Sequence, residues 1–190
     1  ARYLTITDKV MERYGVSVRA VEMSRLEEEV KTILDLSNRS VIGNWGYYPV
    51  TEDEARVIAH DLKQIINPDA VLIAEGPGGE PIGFSIALPD INALLRGLNG
   101  RLLPFGWLKL LWGIPRLKQY RLWALGVIPA YQGKGVDALL YRRTYEALYH
   151  PKVRVEVNYV LEDNVPMNNA LRNLGVKNLR LYRVYEMAIA

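Results

Sequence analysis

Cysteine is absent from all 190 residues. That excludes a disulfide framework and a thiol nucleophile, and it fits a reducing compartment, so the cytoplasm is the expected location. Histidine is scarce: His60 and His150 are too few and too far apart for a metal centre, and each is expected at the surface. The N-terminus lacks a basic region followed by an apolar run, so no signal peptide is expected. The chain starts at Ala1 and not at Met, which is what a processed or truncated piece would show. Acidic residues are missing between Asp90 and Asp137, an interval that holds Arg96, Arg101, Lys109, Arg116, Lys118, Arg121 and Lys134. A polyanion would be drawn there. No recognised nucleic-acid motif accompanies the charge, so nucleic acid is not the expected partner; a solvated basic face is the plainer reading.

What remains is the composition of a soluble globular protein, 49% hydrophobic and 24% charged. The length suffices for one domain with a core of its own. Residues 5–15 read as a helix ending at Gly15, and 16–22 as a strand. Ser24 with Glu27, and Thr51 with Glu54, have capping-box spacing, predicting helices to about Leu36 and Ile66. Apolar runs at 70–75 and 81–88, separated by Gly76-Pro77-Gly78-Gly79, predict a hairpin. Strands are expected at 120–128, 153–160 and 179–189, and helices at 135–149 and 165–174, the last with Pro166 in its first turn. Hairpin strands mixed with strand–helix–strand units imply an α/β (α+β) domain, a mixed sheet with helices on its faces. No repeat or long linker appears, so 1–190 is expected to be a single domain, with 1–15 a helical extension and 91–116 an apolar and basic insertion.

Gln132-Gly133-Lys134-Gly135 stands between an apolar strand and a helix. Glycine at a helix start lets a ligand approach the backbone closely. The first N–H groups of a helix have no partner inside it, so such a turn suits a phosphate, and Lys134 adds a full charge. Turns need glycine in any case, so the local pattern alone is a weak signal.

The run Val127-x-Pro129-x-Tyr131-Gln132-x-x-Gly135 resembles the acetyl-CoA loop of the GCN5-related N-acetyltransferases, whose signature Q/R-x-x-G-x-G/A reads here Gln132-Gly133-Lys134-Gly135-Val136-Asp137. Residues 161–164 through Gly175 are similar to that family's closing segment, an asparagine followed by a helix ending in glycine. The two motifs cover roughly 118–188, and the chain also resembles the C-terminal half of larger bacterial members. The resemblance implies an acyl-CoA N-acyltransferase fold with a largely antiparallel sheet. It implies transfer from acetyl-CoA or another acyl-CoA to an amine of a small molecule or peptide. It places the pyrophosphate on Gln132, Gly133, Lys134, Gly135 and Val136, the pantetheine arm on the strand edge at Leu125, Gly126 and Val127, and Asn164 beside the cofactor. The phosphates of CoA also account for the basic interval. Asn44 and Trp45, in the aromatic loop between the first predicted helices, would help shape the acceptor site; a tryptophan there that simply packs and finds one hydrogen-bond partner is the plainer reading.

The catalytic groups are the least defined. Many members carry a tyrosine seven residues after the motif asparagine, as acid for the departing thiolate; here that position is Leu171, which has no proton to give. Tyr159 and Tyr182 are the nearby substitutes. Arg154, Glu156 and Asn158 alternate along a predicted strand and form a polar row, so Glu156 is the candidate base, directly or through water. An exposed sheet face or a salt bridge in the neighbourhood of Arg154 is its alternative. Residues 101–113 are apolar on nearly every side yet too short to span a bilayer. A buried helix, a lid, a homodimer contact and an interfacial membrane element all fit that segment. Three functions follow: an acetyltransferase on an amine, an inactive relative kept for binding or assembly, and a peripheral membrane acyltransferase with a long-chain donor.

Overall fold

The computed structural model describes residues 2–41, 44 and 46–188, with side chains from Thr5 onward. The chain falls into two compact units, 1–158 and 159–190.

The first unit holds a five-stranded sheet: β1 (Ser17–Ala20), β2 (Val71–Glu75), β3 (Pro81–Pro89), β4 (Gln119–Val127) and β5 (Arg154–Val157), in that spatial order. Pairings β1–β2, β2–β3 and β3–β4 are antiparallel and β4–β5 is parallel. Helices α2 (Leu26–Val41) and α3 (Glu52–Leu62) share one face; α1 (Arg2–Tyr14) and α6 (Val136–Leu148) share the other. Alternation along β3 and β4 separates the two faces. The cross-strand pair Gly83 and Val127 meets Leu140 of α6. The next pair, Phe84 and Gly126, turns to α2, where a Cβ on Gly126 would overlap Ser40 Oγ and Phe84. The mixed, largely antiparallel sheet with helices on both faces is the expected fold.

The core is apolar and closed. Ile73, Ile82, Phe84, Val136, Leu139 and Leu140 are fully buried beneath the helices. On α6 the buried stripe is Val136, Leu139, Leu140, Thr144 and Leu148. Thr144 shares a buried hydrogen bond with Ser85 Oγ at 3.1 Å, which satisfies both hydroxyls in the core.

Several expectations change. Thr51 and Glu54 do form a capping box, but α3 stops at Leu62 rather than near Ile66. Ser24 caps nothing: it lies in a 3-10 turn, Met23–Arg25, and α2 runs on to Val41. The Glu22 N–H is met instead by Glu29 Oε1 at 3.3 Å. Glu29 is almost fully buried, and Arg19 bonds both it and Glu75, at 2.7 and 2.6 Å. The bond to Glu29 above all raises the Arg19 pKa, against the effect of burial. The strand expected at 153–160 is confined to Arg154–Val157. In the second unit α7 (Val165–Asn173) forms as expected. The strand expected at 179–189 does not: residues 176–188 carry no helix or strand, and Leu179, Leu181, Val184 and Met187 are exposed. A strand forms only where another strand accepts its backbone hydrogen bonds, and no pairing involves these residues among those described.

The 91–116 insertion folds as two short helices, α4 (Asn92–Leu95) and α5 (Gly106–Gly113), between β3 and β4. A buried helix is ruled out here, since Trp107 is 50% and Trp112 63% exposed. No helix among the described residues is long and apolar enough to cross a membrane.

Candidate functional site

Two features of β4 open the sheet beside the glycine turn. The pairing with β3 passes from Ile86 opposite Ala124 to Ala87 opposite Leu122, so Trp123 is an extra residue, a β-bulge. The pairing with β5 ends at the same point: the Asn158 N–H donates to Leu122 O at 3.0 Å, and the register stops at Leu122 opposite Val157. Past the bulge, the Ile128 N–H donates to Ile82 O at 2.9 Å, toward β3. With a period of two, Leu125 and Val127 then turn their backbone groups to the side away from β3, and Gly126 turns its own toward β3. Val127 O accepts from Gln132 Nε2 at 2.9 Å. Of the three residues expected along the pantetheine edge, Leu125 and Val127 thus present backbone there, while Gly126 serves the close approach of α2.

The turn follows directly. Gly133 (φ +71°) and Gly135 (φ +84°) adopt left-handed backbone that other residues avoid. A Cβ on Gly133 would meet nothing within 4 Å, so this side of the turn is open. A Cβ on Gly135 would lie 2.9 Å from Val10 of α1, so that side is covered. Gly135 caps α6 without a side-chain hydrogen bond, and the first rung of the helix is the Leu139 N–H to Gly135 O at 3.2 Å. The N–H groups of Val136 and Asp137 therefore precede the helix ladder. The Val136 side chain is fully buried, so only its backbone can meet a ligand.

Lys134 lies over two rings, Tyr131 at 4.6 Å and Tyr14 at 5.5 Å from the centroids. The Tyr131 hydroxyl donates to Glu80 Oε1 at 3.1 Å. That bond raises the Tyr131 pKa; the Glu80 pKa is lowered, first by its own backbone N–H and then by Tyr131. Both effects favour a protonated phenol facing a carboxylate. The aromatic clamp places the ammonium at the turn and was not foreseen. Tyr131 stands inside the recognised run, whereas Tyr14 and Glu80 are distant in sequence and carry no local signal.

Glu156 lies on the α2 face of the sheet, since it pairs with Arg121, which pairs with Leu88, and Leu88 shares its face with Phe84. It stands one residue before the last β4–β5 pair, Leu122 opposite Val157. Its carboxylate is 3.7 Å from the Arg121 guanidinium, and both side chains are about two-fifths exposed. Glu156 thus forms an ion pair, and its partner is Arg121 of the neighbouring strand rather than Arg154 of its own. Asn44 is exposed and follows α2 just beyond Ser40, its carbonyl accepting from the Tyr47 N–H at 3.1 Å. Trp45 lies outside the described residues. In the second unit Tyr159 is 78% exposed. Asn164 caps α7, its Oδ1 accepting from the Met167 N–H at 3.2 Å, and Leu171 is part of that helix. Among the described residues no cluster of histidine and acidic side chains suits a metal.

No protein-family model matches the chain. A bacterial ceramide synthase of Caulobacter vibrioides is 36% identical over 92% of this chain and 47% of its own length. A second curated relative, from Escherichia coli K12, is 34% identical with the same share of its length covered. The chain thus spans about half the length of the curated relatives it matches. Among solved structures, a GCN5-related N-acetyltransferase of Sphaerobacter thermophilus superposes with a TM-score of 0.58 at 15% identity, over 85% of this chain and 41% of that one. An aminoglycoside N-acetyltransferase in complex with CoA superposes with a TM-score of 0.57 at 15% identity, over 92% of this chain and 95% of that one.

Proposed function

We propose that this chain, which has the fold of the GCN5-related N-acetyltransferases, is an acyl-CoA-dependent N-acyltransferase acting on an amine. One observation carries the proposal. The left-handed glycine turn opens directly onto the start of α6, where the capping residue Gly135 makes no side-chain hydrogen bond, beside the edge of β4 that β5 leaves after the bulge. These residues fit CoA: the open side of Gly133 admits a pyrophosphate, the helix start offers N–H groups and positive charge, and Lys134 supplies a cation. Leu125 and Val127 suit the amide groups of a pantetheine arm. Bound acyl-CoA would supply an activated thioester: the amine nitrogen would bond to its acyl carbon as the carbon–sulfur bond breaks, and CoA would leave as a thiolate that takes its proton from solvent. Glu156 takes the proton the amine loses, directly or through one water, and Arg121 fixes its position. Tyr159 and Asn164 enter the proposal on sequence grounds alone.

The relative named a ceramide synthase favours a long acyl donor and a lipid amine, because a ceramide is the amide of a fatty acid and a long-chain amino alcohol. We therefore favour a long-chain acyl-CoA over acetyl-CoA. Leu171 favours a second reading, a binding domain without turnover, since the acid expected there is missing. One experiment addresses both. CoA is titrated calorimetrically, then acetyl- and palmitoyl-CoA are each incubated with a long-chain amino alcohol and the amide is measured. Binding with amide formed from palmitoyl-CoA supports the proposal. Binding without any amide favours the second reading, and no heat at millimolar CoA removes the cofactor.

A further inference from the structure

We propose that the excursion between β3 and β4, residues 91–118, is a docking element for an anionic lipid surface. It leaves the sheet at Pro89 and returns at Gln119, and the Asp90 N–H closes its base on Gln119 O at 2.8 Å. None of residues 91–119 is buried. The segment is nonetheless firmly built. A Cβ on Gly106 would lie 2.5 Å from Arg101 O, and one on Gly113 would lie 2.8 Å from Leu94 Cδ1, so α5 sits hard against its own approach loop and α4. The Trp107 indole N–H donates to Pro104 O at 2.9 Å, which leaves its ring an apolar surface with a satisfied polar edge.

Within ten residues the segment displays Leu103 at 80% exposure, Phe105 at 73% and Trp112 at 63%, with Leu111 and Trp107 also exposed. Large apolar side chains exposed in so short a stretch mark an interaction surface. Charge selects the occupant. The same segment carries Arg96, Arg101, Lys109, Arg116 and Lys118 and no acidic residue. A two-fold contact with a second copy would set these cations against their own duplicates, with no carboxylate in the segment to pair them. Anionic headgroups neutralise them, while the leucine, phenylalanine and tryptophan side chains enter the acyl boundary, where tryptophan is at home. This inference stands apart from acyl transfer, although it would bring the chain to the surface where a lipid amine resides.

The test uses the chain without CoA or acceptor. It is sedimented with phosphatidylcholine vesicles and with vesicles containing about one-third phosphatidylglycerol. Partition onto the anionic vesicles is expected to be at least about tenfold stronger and to weaken as salt rises. The double variant Trp107→Ser/Trp112→Ser should stay in the supernatant while keeping its melting temperature and its CoA titration, because both side chains are exposed. A wild-type chain that ignores anionic vesicles overturns the proposal, as does a double variant that sediments like wild type. A wild-type dimer that the double variant dissolves, without vesicle binding, assigns the face to a second copy instead. Vesicle binding without amide formation would leave this inference standing and count against the acyltransferase alone.

Discussion

The starts of α3 and α6 pose the same physical problem and answer it in opposite ways. Each begins with backbone N–H groups that the helix cannot satisfy. At α3 the chain provides its own acceptors: the Glu54 N–H donates to Thr51 Oγ1 at 3.3 Å, and the Thr51 N–H to Glu54 Oε2 at 2.9 Å. Glu52, Asp53 and Glu54 add negative charge to that end. At α6 the capping residue is glycine in a left-handed conformation, with no side chain to accept anything, and Lys134 precedes it. The α3 end thus meets two of its N–H groups with its own side chains, which contributes stability. At the α6 end no capping side chain takes that role, and in the proposed function a bound pyrophosphate would supply the acceptor.

Four variants test or sharpen that contrast. Glu156→Gln leaves both helix starts intact and should cost the most. If Glu156 removes the proton, turnover on an amine falls by about 10²–10⁴ with CoA affinity unchanged. A rate equal to wild type across pH removes Glu156 from the mechanism. Lys134→Glu gives the α6 start the negative charge that the α3 start already has. CoA affinity should fall at least tenfold, roughly 1.4 kcal/mol, in isothermal titration. An unchanged affinity would mean that the clamp of Tyr14 and Tyr131 keeps the ammonium for the protein.

Thr51→Ala breaks the self-satisfied end. The melting temperature should drop by about 2–4 °C, while CoA affinity does not move. The pH dependence has a definite sign. The Glu54 pKa is lowered, first by the Thr51 N–H and then by its hydroxyl. A lowered carboxylate pKa stabilises the fold above the unfolded value and loses that contribution as pH falls through the folded one. The variant should therefore lose part of this acid-sensitive contribution, and its deficit against wild type should narrow as the solution becomes acidic. The smallest effect belongs to Asp137→Gly, in the first turn of α6. Removing a carboxylate beside a pyrophosphate should tighten CoA binding several-fold, about 1 kcal/mol after screening, and slightly destabilise the empty chain. Weaker binding would place the Asp137 side chain away from the phosphates.

Thr51 and Glu54 were legible as a cap because a capping box depends on residues three apart. The hairpin at 76–79 was legible for the same reason, glycine and proline in an unbroken run between two apolar segments. Ser24 with Glu27 had the same spacing and misled: Glu29 reached the Glu22 N–H because Arg19, from a strand, held it there. The clamp on Lys134 draws on Tyr14, and through Tyr131 on Glu80, neither near the turn in sequence. Glu156 could be placed on a polar row by alternation, but its partner Arg121 comes from the neighbouring strand.

By itself the sequence determined the order of the main helices and of the five sheet strands, the glycine turn at the start of α6 and the acid-free run from 91 to 136, because each rests on residues close together in the chain. Tertiary structure decided the rest. The bulge at Trp123 exists only in the pairing of β4 with β3, and the open edge only because β5 stops bonding at Leu122. The 91–118 segment could have been core by its composition. It is surface because β2, β3 and β4 bury their apolar side chains against α2 and α6, and the segment between β3 and β4 lies outside that closed packing.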